Sequence, residues 1–502
     1  MRRIKLTAIV IIVVLILVNL FIIPLNQVHA ASRKPFVPNP TASPAPSNPI
    51  QELPDPVNEE TEQSIKYIFI VIGDGMGEAH LELGNLFKKV VTGDMSNNAV
   101  WENFPVQITA KGGVESAQGS SMIATGEKNP AGLVSQRKNG LKLTTILDIA
   151  MDNGLSTGIV TLSTLADATP ACFYSHSSSR RNYHAIANQI PDSNIDFIAG
   201  GGLELMFKNL PKEFLKDSMG DKVNSKVGRH DIANQMELNG YTNYLGLSGA
   251  LDFLESDIAE NKSFCVFNSG DVPFYYLQRT KDNSELSKNV PSLPKIVSRG
   301  INSLSKDEDG FFMVIEEPSI DKAGHYSKEK YVALEMGVLD KTLDVIYEFY
   351  EEHPTETLII LTADHETGDH RFVPGAVDEL VNIKEVLPWN ESPDKISSYL
   401  KEFFDAEIKT SYLETGNSFI KNNTFGNEFD NRAYAAANIT AKISSILGMG
   451  PRIARHSSQP IPILAMGNDS SLFETCESLA DIPHVICDIM DWDNVLGTEI
   501  SD

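Results

Sequence analysis

The 502-residue sequence predicts an α/β fold, a doubly wound and mostly parallel central sheet flanked by helices, and three observations carry that expectation. Short, unbroken apolar runs recur, among them Ile68-Phe69-Ile70-Val71-Ile72, Phe311-Phe312-Met313-Val314-Ile315 and Leu358-Ile359-Ile360-Leu361, with the composition of strands buried on both faces. The stretches between them are long enough for crossover helices. Metal-ligating side chains follow the runs directly: Gly73-Asp74-Gly75 after the first, Glu316 with Asp321 and His325 after the second, and Asp364-His365-Glu366 after the third. Open α/β sheets place ligand sites at the carboxyl ends of their strands, so these residues are expected to converge there.

The elements follow in order. Arg2, Arg3 and Lys5 precede an apolar run from Leu6 to Ile23 and then Val28-His29-Ala30, whose small residues suit signal peptidase. Residues 1–30 therefore read as a signal peptide, with the body exported to the extracellular space or periplasm. The apolar run approaches membrane-spanning length, so an uncleaved anchor on the outer face of the cytoplasmic membrane is the alternative. Residues 31–63 are rich in Pro, Ser, Asn and acidic residues and read as a disordered linker. The catalytic body spans 64–502. Strands are predicted at 67–72, 157–161, 195–199, 264–267, 311–315, 357–362 and 461–465, and crossover helices at Leu143 to Asn153 and Tyr331 to Glu351. From 372 to 450 the apolar periodicity weakens and Asn, Lys and Glu dominate, which predicts a crown-like insertion over the site.

Composition narrows the function. Hydrophobic residues make up 42% of the chain, enough for one large core. A net charge of -25 argues against a nucleic-acid partner, because the phosphate backbone would be repelled at long range. A small anionic substrate stays allowed, since bound metals and arginines dominate the field inside a cleft. The four cysteines, Cys172, Cys265, Cys476 and Cys487, lack CxxC spacing and are read as free thiols, although export would permit Cys476 and Cys487 to pair.

Ser116 opens a run that Gly126 closes, as a short helix with the serine in its first turn. A helix amino terminus favours a developing alkoxide and an incoming phosphate. A serine that merely caps the helix gives the same pattern, and spacing does not choose among Ser116, Ser120 and Ser121. Asp321 and His325 are spaced i,i+4, so one helical turn presents both. Imidazole with carboxylate suits zinc; all-oxygen ligation suits magnesium.

Six motifs in order, Gly73-Asp74-Gly75-Met76-Gly77, Glu115-Ser116-Ala117 with Ala124-Thr125-Gly126, Asp167-Ala168-Thr169-Pro170, Ser319-Ile320-Asp321-Lys322 with His325, Thr362-Ala363-Asp364-His365, and His456, resemble the motif series of the alkaline phosphatases. The resemblance implies hydrolysis of phosphate monoesters through a phosphoserine on Ser116, two zinc ions and one magnesium ion as cofactors, and a homodimer. It places one zinc on Asp321, His325 and His456, the second on Asp74, Asp364 and His365, and magnesium on Asp74, Thr169 and Glu316. Arg180, ten residues beyond Pro170, stands where the family clamps phosphate, with Glu115 helping to hold it; Asp167 and Lys322 fall beside the magnesium site. Three departures stand out. Glu115 replaces the usual bacterial Asp, Glu317 follows Glu316 where a small residue is usual, and the stretch from His365 to His456 is long. The competing expectations are a phosphodiesterase of the same superfamily and a cell-surface binding protein without catalysis. A sulfatase would need a Cys/Ser-x-Pro-x-Arg motif, which Ser116 lacks.

Overall fold

Nine strands form one sheet in the order β2-β11-β8-β1-β7-β3-β4-β6-β5 in the computed structural model, which describes residues 65–94, 96–208, 230–256, 262–268, 271, 290–371 and 431–500. These strands are β1 (Tyr67–Gly73), β2 (Val106–Ala110), β3 (Ser156–Thr164), β4 (Phe197–Gly201), β5 (Thr242–Leu245), β6 (Ser263–Val266), β7 (Phe311–Glu317), β8 (Thr357–Thr362) and β11 (Ile461–Gly467). The short strands β9 (Glu366–Thr367) and β10 (His456–Ser457) pair separately, antiparallel. In the large sheet only β11 runs against the rest, antiparallel to both β8 and β2. The predicted 1–30 and 31–63 segments, and residues 372–430 of the predicted insertion, lie outside the described residues.

All seven predicted strands form, and the centre of the sheet explains why they were readable. Every residue of β1, β7 and β8 is buried, so both faces of these strands had to be apolar. Strands β2 and β5 were not anticipated. They lie at the two edges, and Val106–Ala110 is exposed or half-buried at its three middle positions, which removes the continuous apolar signal. The expected helices form at Ile146–Asp152 and Glu329–Glu352. Thr145 and Asp148 close the first of these as a reciprocal capping box.

Residues 431–447, inside the predicted insertion, form a helix that packs on Glu78–Thr92 and Glu329–Glu352 through buried Ala436, Ala437, Ile439 and Ile443. This part belongs to the helical layer of the body. Among the described residues no helix is long and apolar enough to cross a membrane. All four cysteines are buried and free.

Register then positions the site. Strand β1 pairs parallel with β7 and β8 so that Ile72 lies opposite Glu316 and Thr362. The residues after these three strands therefore emerge at one end of the sheet.

Candidate active site

Asp74 leaves β1 with its backbone N–H donating to the Glu317 carbonyl at 3.0 Å. The next residue, Gly75, has φ of 75°, and an added Cβ would fall 2.8 Å from the Asp321 backbone, so this turn needs glycine both for its conformation and for the close approach. Beyond β7, Glu317 Oε2 accepts the N–H groups of Ser319 and Ile320 at 3.1 and 3.0 Å, starting the helix Ser319–His325 that carries Asp321 and His325 on one face. Strand β8 delivers Asp364 and His365. The β9–β10 pair sets His456 opposite Thr367.

Asp321, His325 and His456 meet in one group. Nε2 of His325 and of His456 lie 3.4 and 3.5 Å from Asp321 Oδ1. His325 Nδ1 faces the Ala454 carbonyl at 3.3 Å and His456 Nδ1 faces the Val114 carbonyl at 3.2 Å, so each neutral ring donates from Nδ1 and keeps its lone pair on Nε2. The two Nε2 atoms stand 3.0 Å apart. Two lone pairs and a carboxylate facing one another are the donor set of a cation, and the mixture fits zinc. Burial opposes ionisation of Asp321, but His456, His365, His325 and the Thr367 hydroxyl hold its pKa below the usual carboxylate range.

The second group joins Asp74, Asp364 and His365, with His365 Nε2 3.4 Å from Asp74 Oδ1 and 3.6 Å from Asp364 Oδ2. Those two carboxylate oxygens are buried without a hydrogen bond among the described residues. Unpaired buried carboxylates are costly. Burial, then repulsion from Asp364 and Asp321, raises the pKa of Asp74 well above normal, and a divalent ion would remove that strain. The His365 and His456 rings stack at 3.8 Å, bringing the two groups side by side.

Ser116 sits between them, its Oγ 3.2 Å from His365 Nε2 and 3.5 Å from Asp74 Oδ2. The helix Ser116–Thr125 is capped by Glu115, whose carboxylate accepts the N–H groups of Ala117 at 3.1 Å and Gln118 at 2.8 Å. Capping by the preceding residue leaves the Ser116 hydroxyl free to face the ligand groups. Ser120 and Ser121 are fully buried, and Ser121 Oγ donates to the Leu133 carbonyl.

Glu115 also accepts from Gly132 N at 2.9 Å and from Arg180 Nη1 at 2.8 Å, while Arg180 Nη2 donates to Asp167 Oδ1 at 3.2 Å. The guanidinium is thus gripped on both arms, whereas Arg181 is exposed. Asp167 Oδ2 accepts from Ser163 Oγ at 3.5 Å, and Lys322 reaches the same hydroxyl at 3.4 Å. Lys322 has a nearer partner that the sequence did not suggest: Asp271, at 2.7 Å, which belongs to no motif.

Glu316 is buried, accepts the Thr161 hydroxyl on Oε2 and leaves Oε1 unpartnered among the described residues. Burial, then repulsion by Asp167, pushes its pKa up to about 8. Glu317 Oε2 is spent on the helix start, while its Oε1, like Glu316 Oε1, is buried without a hydrogen bond among the described residues. Thr169 is buried in the helix Ala168–Ala171, and no hydrogen bond among the described residues joins it to Asp74 or Glu316.

Comparison with known proteins gives the family and the fold. The alkaline phosphatase family matches residues 65–491. Alkaline phosphatase 3 of Bacillus subtilis is 25% identical over 436 residues, covering 82% of this chain and 86% of the relative. Alkaline phosphatase of Escherichia coli is 25% identical over 361 residues, covering 62% and 73%. Among solved structures, the alkaline phosphatase of the Antarctic bacterium TAB5 superposes with a TM-score of 0.59 at 22% identity, over 86% of this chain and 99% of that one. The chain belongs to the alkaline phosphatase family, a family of phosphoric monoester hydrolases.

Proposed function

We propose that this chain hydrolyses phosphate monoesters through a phosphoserine on Ser116, with two zinc ions and one magnesium ion as cofactors. The observation that carries the reading is the placement of the free Ser116 hydroxyl, 3.2 Å from His365 Nε2 and 3.5 Å from Asp74, beside an arginine held by two carboxylates. Asp321, His325 and His456 would hold one zinc, Asp74, Asp364 and His365 the other, and Asp74, Thr169 and Glu316 the magnesium. When bound, the ions supply Lewis-acid charge that favours the serine alkoxide and the leaving oxygen.

The residues of the chain do the rest. Arg180 presents its fork to two non-bridging oxygens, which a monoester dianion offers best. Ser116 Oγ loses its proton and attacks phosphorus; the Oγ–P bond forms as the ester P–O bond breaks, and the alcohol leaves with a proton. Water then cleaves the Oγ–P bond, restoring the serine and releasing phosphate. Relative rates on p-nitrophenyl phosphate, its bis-ester and its sulfate test the substrate class. A preference for the bis-ester would replace this reading with a diesterase, and no turnover of any of them would leave a binding protein.

Glu115→Gln removes the charge that grips Arg180 while keeping the side-chain length. It is expected to weaken inorganic phosphate binding by about tenfold, the scale of one charge-assisted hydrogen bond, with a smaller change in kcat. An unchanged phosphate Ki would show that Arg180 does not depend on Glu115.

We further propose that the body is exported, with residues 1–30 as signal or anchor. Amino-terminal sequencing of the protein recovered outside the cytoplasm is expected to start just after Ala30 if the segment is cleaved and at Met1 if it anchors. Intact protein found only in the cytosol would overturn export. Light scattering on the same material tests the homodimer that the family suggests.

A further inference from the structure

His365 and His456 belong to segments 91 residues apart in the chain, and what registers them is a two-residue pairing, Thr367 opposite His456 and Glu366 opposite Ser457. So short a ladder contributes little by itself. The side chain of Glu366 supplies what the backbone lacks. Its Oε2 accepts the Ser457 hydroxyl across the pair and the Asp369 N–H at 3.0 Å, and its Oε1 accepts the His370 N–H at 2.9 Å. The stem is wedged against the loop that carries Asp74: a Cβ on Gly77 would fall 2.5 Å from Glu366 Cγ, and Thr367 N–H donates to the Gly75 carbonyl at 2.9 Å. One buried carboxylate therefore touches all three segments that bring Asp74, His365 and His456 together.

His80 and His370 flank this carboxylate, their rings 4.2 Å apart, and the three could be mistaken for another metal group. The tautomer of His80 speaks against that, although His370, whose Nδ1 donates to the Thr367 carbonyl, keeps a buried lone pair on Nε2. The Gly77 N–H donates to His80 Nδ1 at 2.9 Å, so the neutral ring carries its proton on Nε2 and has no lone pair left to offer. Both oxygens of Glu366 are already accepting hydrogen bonds. The cluster is a brace.

We infer that Glu366 is a positioning residue that locks the His365 and His456 segments into the spacing a two-zinc site requires, acting through Ser457 on one side and the Gly75–Gly77 loop on the other. The inference rests on the zinc pair of the proposed function, and zinc content tests it without recourse to turnover. The protein is loaded with zinc, dialysed against graded nitrilotriacetate and analysed for metal, and the thermal midpoint of the metal-free form is measured beside it. Ser457→Ala, which removes the bond across the pair together with the local bond from the Gln459 N–H to Ser457 Oγ, is expected to lose one zinc about tenfold more readily than wild type, the lower end of what outer hydrogen-bond partners contribute to metal affinity. Glu366→Gln is expected to lose both more readily. In Ser457→Ala the metal-free midpoint should not move, which separates positioning from mere structural support. Two zincs retained as in wild type by both variants would overturn the inference, as would a metal-free midpoint that falls in step with zinc loss. A further equivalent of metal in wild type that disappears in Glu366→Gln would also overturn it, in favour of a ligand role. If wild type itself binds no zinc pair, the proposed function fails first.

Discussion

Ser116→Ala is expected to lower kcat on p-nitrophenyl phosphate by at least about 10³-fold and to abolish trapping of labelled phosphate on the protein at acid pH, because Ser116 Oγ is the serine hydroxyl that faces both His365 and Asp74. The structure sharpens the contrast with its neighbours. Ser120 and Ser121 are fully buried, Ser121 is committed to Leu133, and neither forms a hydrogen bond to Asp74 or His365. Their alanine variants should therefore keep the phosphoenzyme. Some hydrolysis should survive in Ser116→Ala, since bound metal and Arg180 still activate and orient the reactants. Label recovered on Ser120 or Ser121, or wild-type turnover in Ser116→Ala, would overturn the assignment of the nucleophile.

Removing metal with a chelator is expected to abolish activity, to lower the thermal midpoint by on the order of 10 °C, and to make stability depend on pH. Without a cation, Glu316 titrates at about 8 and Glu317 at about 7 in the folded state, both raised chiefly by burial from an ordinary value of 4.5, and Asp74 is raised as well. Between pH 4.5 and 8 these carboxyls bind more protons in the folded state than in the unfolded chain, so their contribution falls as pH rises through that window, while His80, His176 and His365, with pKa values lowered by burial, act in the opposite sense up to about pH 6.5. Asp321 works in the opposite sense: its pKa is depressed, so its contribution is present above pH 3.8 and is lost only on acidification. Zinc and magnesium should restore activity and flatten the decline above pH 7, where the histidines of the unfolded chain are mostly neutral. A metal-free protein whose midpoint is level or rises from pH 7 to 8 would show that Glu316 and Asp74 are not confined as described.

The parts of this molecule that were legible in the sequence are those where one segment meets one kind of environment. The apolar runs within β1, β7 and β8 are buried on both faces, and the candidate ligands sit at or just beyond their ends because open sheets present their crevice at strand ends. Edge strands β2 and β5 left no such trace, since a half-exposed strand tolerates polar residues and four or five of those look like any loop. The brace around Glu366 was invisible for another reason. Glu366 and His370 are four residues apart, but His80 and Ser457 stand at no fixed spacing from them, and only the folded chain makes them neighbours.

Sequence by itself determined the fold class and the family and named the candidate ligands, because each depends on short local patterns and on their order along the chain. Tertiary structure decided which serine is unencumbered and which arginine is gripped. It also revealed Asp271 beside Lys322. Those choices turn on hydrogen-bond competition among groups far apart in sequence: Glu115 caps the helix so that Ser116 need not, and the same carboxylate accepts from Arg180 in a distant segment. A polar atom is available for chemistry only when its neighbours have satisfied the backbone first, and that accounting closes only in three dimensions.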